Sequence, residues 1–235
     1  MKQKQIITME TKRFFNPFIG ENYEAGLSGK KVLVIGDSFY CAHSEDCKYF
    51  QECTDMLKKD SSKFDTVCPD YGPRKLSLSD APTGELEEMY RAYKNFGEFL
   101  SGYAEGTDCV TAWQNVAFTN YVQFFVPSAT SHSRDAVSER DFEAFKETVL
   151  ELKPDIVFVW GTIAGDAIRR GRKEVYDYDT PEFHAKEGYV SHLRLDGLDK
   201  DVVIINTYHP CNMYGRWSSS LPQLRKYTDE VIGNR

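Results

Sequence analysis

The sequence predicts an α/β fold in three layers, α/β/α, around a central sheet of four parallel strands. Short apolar runs at 31–36, 116–122, 155–160 and 202–206 have strand length, and three of them are nearly continuous in apolar residues, as strands buried on both faces are. Segments of helical periodicity lie between them, and parallel strands need such crossovers. The chain has 235 residues, 41% of them hydrophobic, enough to bury one sizeable core. A single domain is expected over 1–235, with its core at about 30–232 and an N-terminal extension at 1–29.

In chain order, an aromatic, glycine-containing lead at 14–27 precedes the first strand, and a helix is expected over 45–59. A polar loop with Pro69, Pro73 and Pro82 follows. Thr83 suits the cap of a long helix, because Leu86, Met89, Tyr93, Phe96 and Leu100 fall on one face. Beyond the second strand, Ser138 opens a helix with Asp141 in capping-box position and Phe142, Phe145, Val149 and Leu152 as its apolar stripe. The third strand leads into a short helix at 162–170. Residues 174–199 carry scattered aromatics and a period-two stretch at 189–195, which predicts an irregular excursion with a short edge strand. After the fourth strand, a last helix is expected from about Leu221, with Pro222 in its first turn. Trp113, Tyr121 and Trp160 read as core.

No apolar run approaches the roughly 20 residues needed to cross a bilayer, and residues 1–10 lack the apolar stretch of a signal peptide. A cytoplasmic monomer without a membrane partner is expected. The formal charge of -7 argues against non-specific affinity for polyphosphate, which comes from many Lys and Arg displacing counterions. Local basic groups remain: Arg169, Arg170, Arg172 and Lys173 in one cluster, and Arg216, Arg225 and Lys226 in another. A solvated helix end accounts equally well for the first.

The six cysteines are expected as reduced thiols. Cys41, Cys47, Cys53 and Cys68 follow the first strand with His43 among them, but form no C-x-x-C pair. Cys47, Phe50, Cys53 and Leu57 recur at helical spacing, where free cysteine packs as a small hydrophobe. Neither zinc nor an iron–sulfur cluster is therefore expected, nor any other cofactor.

Chemistry-bearing residues concentrate where the strands end. The first strand runs into Gly36-Asp37-Ser38-Phe39-Tyr40 and the fourth into Asn206-Thr207-Tyr208-His209-Pro210, while Asn120 lies at the end of the second and Trp160-Gly161 at the end of the third. The carboxyl ends of an open parallel sheet line one crevice, so an early acid or hydroxyl and a late imidazole are expected to meet there. In this order the motifs resemble the uracil-DNA glycosylase superfamily, whose first motif is of the type G-Q-D-P-Y or G-E-x-P-G and whose late motif is of the type H-P-S. The resemblance covers about residues 30–232 in layout.

The resemblance implies a uracil-DNA glycosylase-like fold and hydrolysis of the N-glycosidic bond of a damaged or deaminated base. DNA or another nucleobase-containing ligand would be the partner. Gly36 matches the family glycine, Tyr40 the aromatic wall of the base pocket, Asn120 the residue that reads the pyrimidine edge, and His209 with Pro210 the late pair. Ser38 stands where one subgroup has its water-activating aspartate; in the other subgroup the acid falls on Asp37. Phe39 replaces the family proline and Cys211 the serine after His-Pro.

Glycosidic cleavage develops positive charge on the sugar and negative charge on the departing base. A carboxylate such as Asp37 stabilises the first and orients water, and a donor such as neutral His209 stabilises the second. Asn120 offers a donor and an acceptor to a base edge, and Phe39 or Tyr40 a stacking face. Met213 or Tyr214 would supply a wedge into a duplex and Arg216 a phosphate contact. Each residue also has a structural reading: Asp37 or Ser38 as a helix cap, Asn120 and His209 as strand-end groups bonded to backbone, Met213, Tyr214 and Trp217 as cover for the core.

Two alternatives stand beside this reading. Gly36-Asp37-Ser38-Phe39 also resembles the first block of GDSL-type serine hydrolases, with Ser38 as nucleophile and His209 as base. Asn206 then stands where the late D-x-x-H segment has its aspartate, and the imidazole loses its orienting carboxylate. The other alternative is a non-catalytic nucleic-acid-binding module of the same fold.

Overall fold

The middle strands of the sheet are the apolar runs that the sequence singles out, and each buries both of its faces. The computed structural model describes residues 12–13, 15–40, 91–104, 107–123, 125–126, 137–169, 173–177, 189–211 and 213–233. The helix expected over 45–59, the cap at Thr83, and Cys41, Cys47, Cys53 and Cys68 lie outside the described residues. The strands are β1 (Phe18–Ile19), β2 (Val32–Gly36), β3 (Phe39–Tyr40), β4 (Val116–Asn120), β5 (Phe125–Val126), β6 (Ile156–Trp160), β7 (Val175–Asp177), β8 (Tyr189–Leu193) and β9 (Val202–Thr207). The helices are α1 (Arg91–Ser101), α2 (Glu139–Leu152), α3 (Thr162–Arg169) and α4 (Arg216–Ile232).

Among the described residues the main sheet has seven strands in the order β1-β4-β2-β6-β9-β8-β7. Its four middle strands run parallel, with Gly36 opposite Asn120, Ile35 opposite Val159, and Trp160 opposite Thr207. The sheet is nevertheless mixed, since β1 joins β4 antiparallel and β8 and β7 extend it antiparallel beyond β9. An expected sheet of four strands is thus too small. The excursion at 174–199 supplies two of the additional strands, and β8 is an inner strand paired on both sides rather than an edge. The lead is likewise part of the structure from Phe15 onward: Phe15, Tyr23 and Leu27 are at most 2% exposed, and β1 caps the edge of β4.

Alternation along β2 divides the core. Val32 and Val34 pack with Phe96, Phe99 and Leu100 of α1 and with Trp217, Leu224 and Tyr227 of α4. Leu33 and Ile35 face the other way, onto Phe142, Phe145 and Val149 of α2 and Ala164 and Ile168 of α3. Trp113, Tyr121 and Trp160 are buried as expected. The chain passes from β2 to β4 by way of α1 on one face, then returns across β2 to β6 by way of α2 on the other. The winding therefore reverses between β2 and β6, and an open α/β sheet has its crevice outside the carboxyl ends of such a pair.

Local signals fix the helix ends. Ser138 and Asp141 form the expected capping box at the start of α2. Helix α4 begins at Arg216 rather than near Leu221, because Gly215 turns the chain at φ 70 and the first turn buries Trp217 and Ser220 on one face. Pro222 consequently sits inside the helix, at the cost of one main-chain hydrogen bond. Among the described residues no helix is long and apolar enough to cross a membrane.

Candidate functional site

The early motif is held by β4. The ladder between β2 and β4 continues past the strand ends, with the Tyr121 N–H donating to Gly36 O at 2.9 Å and the Val122 N–H to Asp37 O at 3.0 Å. A β-carbon at Gly36 would stand 2.0 Å from Asn120 Oδ1, so the bare glycine is what lets the Asn120 amide lie across β2. Asp37 is half-buried, with Oδ1 closed off from solvent, and the buried Ser38 Oγ has no hydrogen-bond partner among the described residues.

The late motif is held by β6 and α1. Asn206 Nδ2 donates to the carbonyls of Val159 and Gly161, both at 2.9 Å. The Gly161 N–H returns a bond to Thr207 O at 2.8 Å. From α1, Asn95 Nδ2 donates to Pro210 O at 2.5 Å. Two residues beyond β9, the His209 ring meets Trp160 edge-on at 5.6 Å. Its Nδ1 accepts the Cys211 N–H at 3.2 Å, and a nitrogen that accepts carries no proton, which leaves Nε2–H as the donor of the neutral ring. Burial pushes the His209 pKa down to about 4, so the ring is neutral at pH 7.

The two motifs reach the same edge of the sheet, on either side of β6. Two strand spacings put their main chains about 10 Å apart. Gly161 ends β6 between them with no side chain and φ 81, and a β-carbon there would lie 4.0 Å from the His209 β-carbon. Asn120 stands one strand further, beyond Gly36. The buried Trp160 Nε1 lacks a partner among the described residues, so orphaned polar groups accompany the bare glycines at this edge. Such groups are uncommon in folded proteins.

The hydrolase geometry is absent among the described residues. Ser38 Oγ makes no hydrogen bond to His209, and the Asn206 amide serves the carbonyls of β6 instead of orienting the imidazole. Phe39 and Tyr40 form β3, paired parallel with β5, and their side chains, like that of Met213, lie outside the described residues. Tyr214 is 86% exposed at φ 57. The Arg216 guanidinium lies 5.9 Å from the rings of both Tyr208 and Tyr214. Arg225 instead packs over Phe99 of α1 at 5.4 Å, and Trp217 is core. Cys109 and Cys211 are free thiols, and the described residues hold no cluster of three metal-ligating side chains.

Asn95, which the sequence reading did not single out, and Asn206, which it weighed only in place of the hydrolase aspartate, hold the late motif. For Asn206 a signal existed, a polar residue closing a buried strand and so obliged to find partners. In comparison with known proteins, no family model matches the chain and no curated protein does.

Proposed function

We propose that the protein hydrolyses the N-glycosidic bond of a damaged or deaminated base in DNA, in the manner of the uracil-DNA glycosylase superfamily, with its parallel middle strands in the role of that family's four-stranded sheet. The observation that carries the reading is the row Asn120, Gly36, Gly161, His209 along one sheet edge: polar groups at both ends, two residues without side chains between them, and Asp37 alongside. An amide at one end of the row and a neutral imidazole at the other suit a ligand that both donates and accepts hydrogen bonds.

In this reading the Asn120 amide pairs with the base edge. The bond from C1′ to the base nitrogen breaks with its electron pair going to the base, and the Nε2–H of neutral His209 donates a hydrogen bond to the carbonyl where that charge collects. Asp37 stabilises the cationic sugar and orients the water whose oxygen bonds to C1′. The water's proton leaves to solvent and the base is protonated in turn. Tyr214 and Arg216, exposed and with the Arg216 guanidinium 5.9 Å from the Tyr208 ring, would contact the strand around the extruded nucleotide.

Release of free base from single-stranded oligonucleotides carrying one deoxyuridine, deoxyinosine or deoxyxanthosine tests the reading. The proposal expects release from at least one of them, with Asp37→Asn slower by about 10²- to 10⁴-fold. Binding without release would favour the non-catalytic module, and neither binding nor release would overturn both.

A further inference from the structure

We propose that Gln123 is a positioning residue for Asn120, fixing the end of β4 so that the Asn120 amide presents a set donor and acceptor to its ligand. The inference rests on the base-reading role proposed for Asn120.

Gln123 is 4% exposed and bonded on three sides. Its Nε2 donates to Asn120 O at 2.7 Å, its Oε1 accepts the Phe15 N–H at 3.2 Å, and its own N–H donates to Asp141 Oδ1 at 2.8 Å. Phe15 offers only a donor there and Asn120 only an acceptor, so the side-chain amide has one satisfactory orientation. Asp141, also 4% exposed, is held by the N–H and hydroxyl of Ser138 at 2.7 and 2.9 Å. A buried chain of hydrogen bonds thus runs from the cap of α2 to the carbonyl of Asn120.

Burying an amide and a carboxylate beside Tyr121, Val122 and Phe142 costs free energy unless each polar atom is paired. Closing the turn after β4 does not call for that chain, because the Tyr121 and Val122 N–H groups already bond to Gly36 O and Asp37 O. What the Gln123 side chain adds is a bond to the one carbonyl whose residue carries the reading amide. With Oδ1 seated over Gly36, a small shift of that carbonyl moves the amide relative to Asp37 and His209, and misplacement of about 1 Å is costly in a site of this kind.

The test uses the whole protein and single-stranded oligonucleotides carrying deoxyuridine, deoxyinosine or deoxyxanthosine, with single-turnover release measured per folded molecule. Gln123→Met and Gln123→Leu each lose both the acceptor for Phe15 and the donor to Asn120. Each is expected to slow release from the preferred substrate by about 10- to 100-fold and to narrow the preference among the three substrates. Thr148→Val is the control for a structural loss, since Thr148 is a buried α2 residue whose hydroxyl bonds only within the helix, to Ala144 O at 2.9 Å. It is expected to lower stability and leave rate and preference unchanged. The inference is overturned if both Gln123 variants keep wild-type rate and preference while Asn120→Ala loses them. If Asn120→Ala keeps them too, or the wild-type protein releases none of the three bases, the base-reading role itself fails and this inference with it.

Discussion

The Asn120 side-chain oxygen lies over the α-carbon of Gly36, so near that a β-carbon there would stand 2.0 Å from it, with Phe118 Cζ 3.1 Å away. Gly36→Ala must therefore displace the end of the Asn120 side chain. Displacing one side chain and crowding Phe118 should cost about 1–3 kcal/mol, visible in chemical denaturation. Base release should fall much further than stability does, because the displaced group is the one assigned to the base edge. Wild-type release by a folded Gly36→Ala protein would show that the amide has no part in it.

Ser38 separates glycosidic from ester hydrolysis. Its hydroxyl meets no partner among the described residues, so Ser38→Ala should change base release less than about threefold, whereas a nucleophile's loss would remove activity almost entirely. A p-nitrophenyl ester is the probe for the second case. Ester turnover abolished by Ser38→Ala would favour the hydrolase.

Burial of His209 gives stability a definite pH dependence. Its pKa is pushed down to about 4 from the ordinary imidazole value of 6.5, so between those values the unfolded chain binds the proton more readily than the native one. The stability that His209 contributes is therefore complete above about pH 6.5 and is lost as pH falls toward 4. His192, also lowered by burial, acts in the same direction. Stability measured by urea unfolding should decline across this window, and less steeply in His209→Gln. Release should show no inflection near pH 6.5, because the ring stays neutral there; an inflection at that pH abolished by His209→Gln would contradict the assignment.

Tyr214 and Arg216 are exposed and add little to the core. Tyr214→Ser should leave the melting temperature within about 2 °C of wild type while weakening oligonucleotide binding. Arg216→Ala should reduce the salt dependence of that binding by about one unit of slope. Unchanged affinity in both variants would move the nucleic-acid contact elsewhere.

The middle of this fold was legible because its signals are local. The apolar runs of β2, β4, β6 and β9 carry their own period, and Ser138 with Asp141 declares a helix start within four residues. The strand-end motifs were legible for a related reason, since polar residues closing buried strands stand out against apolar neighbours. What escaped depends on partners distant in sequence. Strand β1 is two residues long and exists because Phe18 and Ile19 find Phe118 and Ala117 across the sheet. Helix α4 starts at Arg216 because Trp217 reaches the core beside Phe96 and Phe99, which Pro222 alone pointed away from. Asn95 reveals its bond to Pro210 only once α1 lies beside the late motif.

The central claim is that Asn120 and His209, from strands far apart in the chain, grip one ligand. Nitrogen-resolved NMR of the side-chain amide of Asn120 and the Nε2–H of His209, during titration with whichever free base the protein releases, measures this directly. Both signals are expected to shift along a single saturation curve and to lose that response in Gly36→Ala. Release proceeding while only one of them responds, or while they follow different curves, would contradict the shared site.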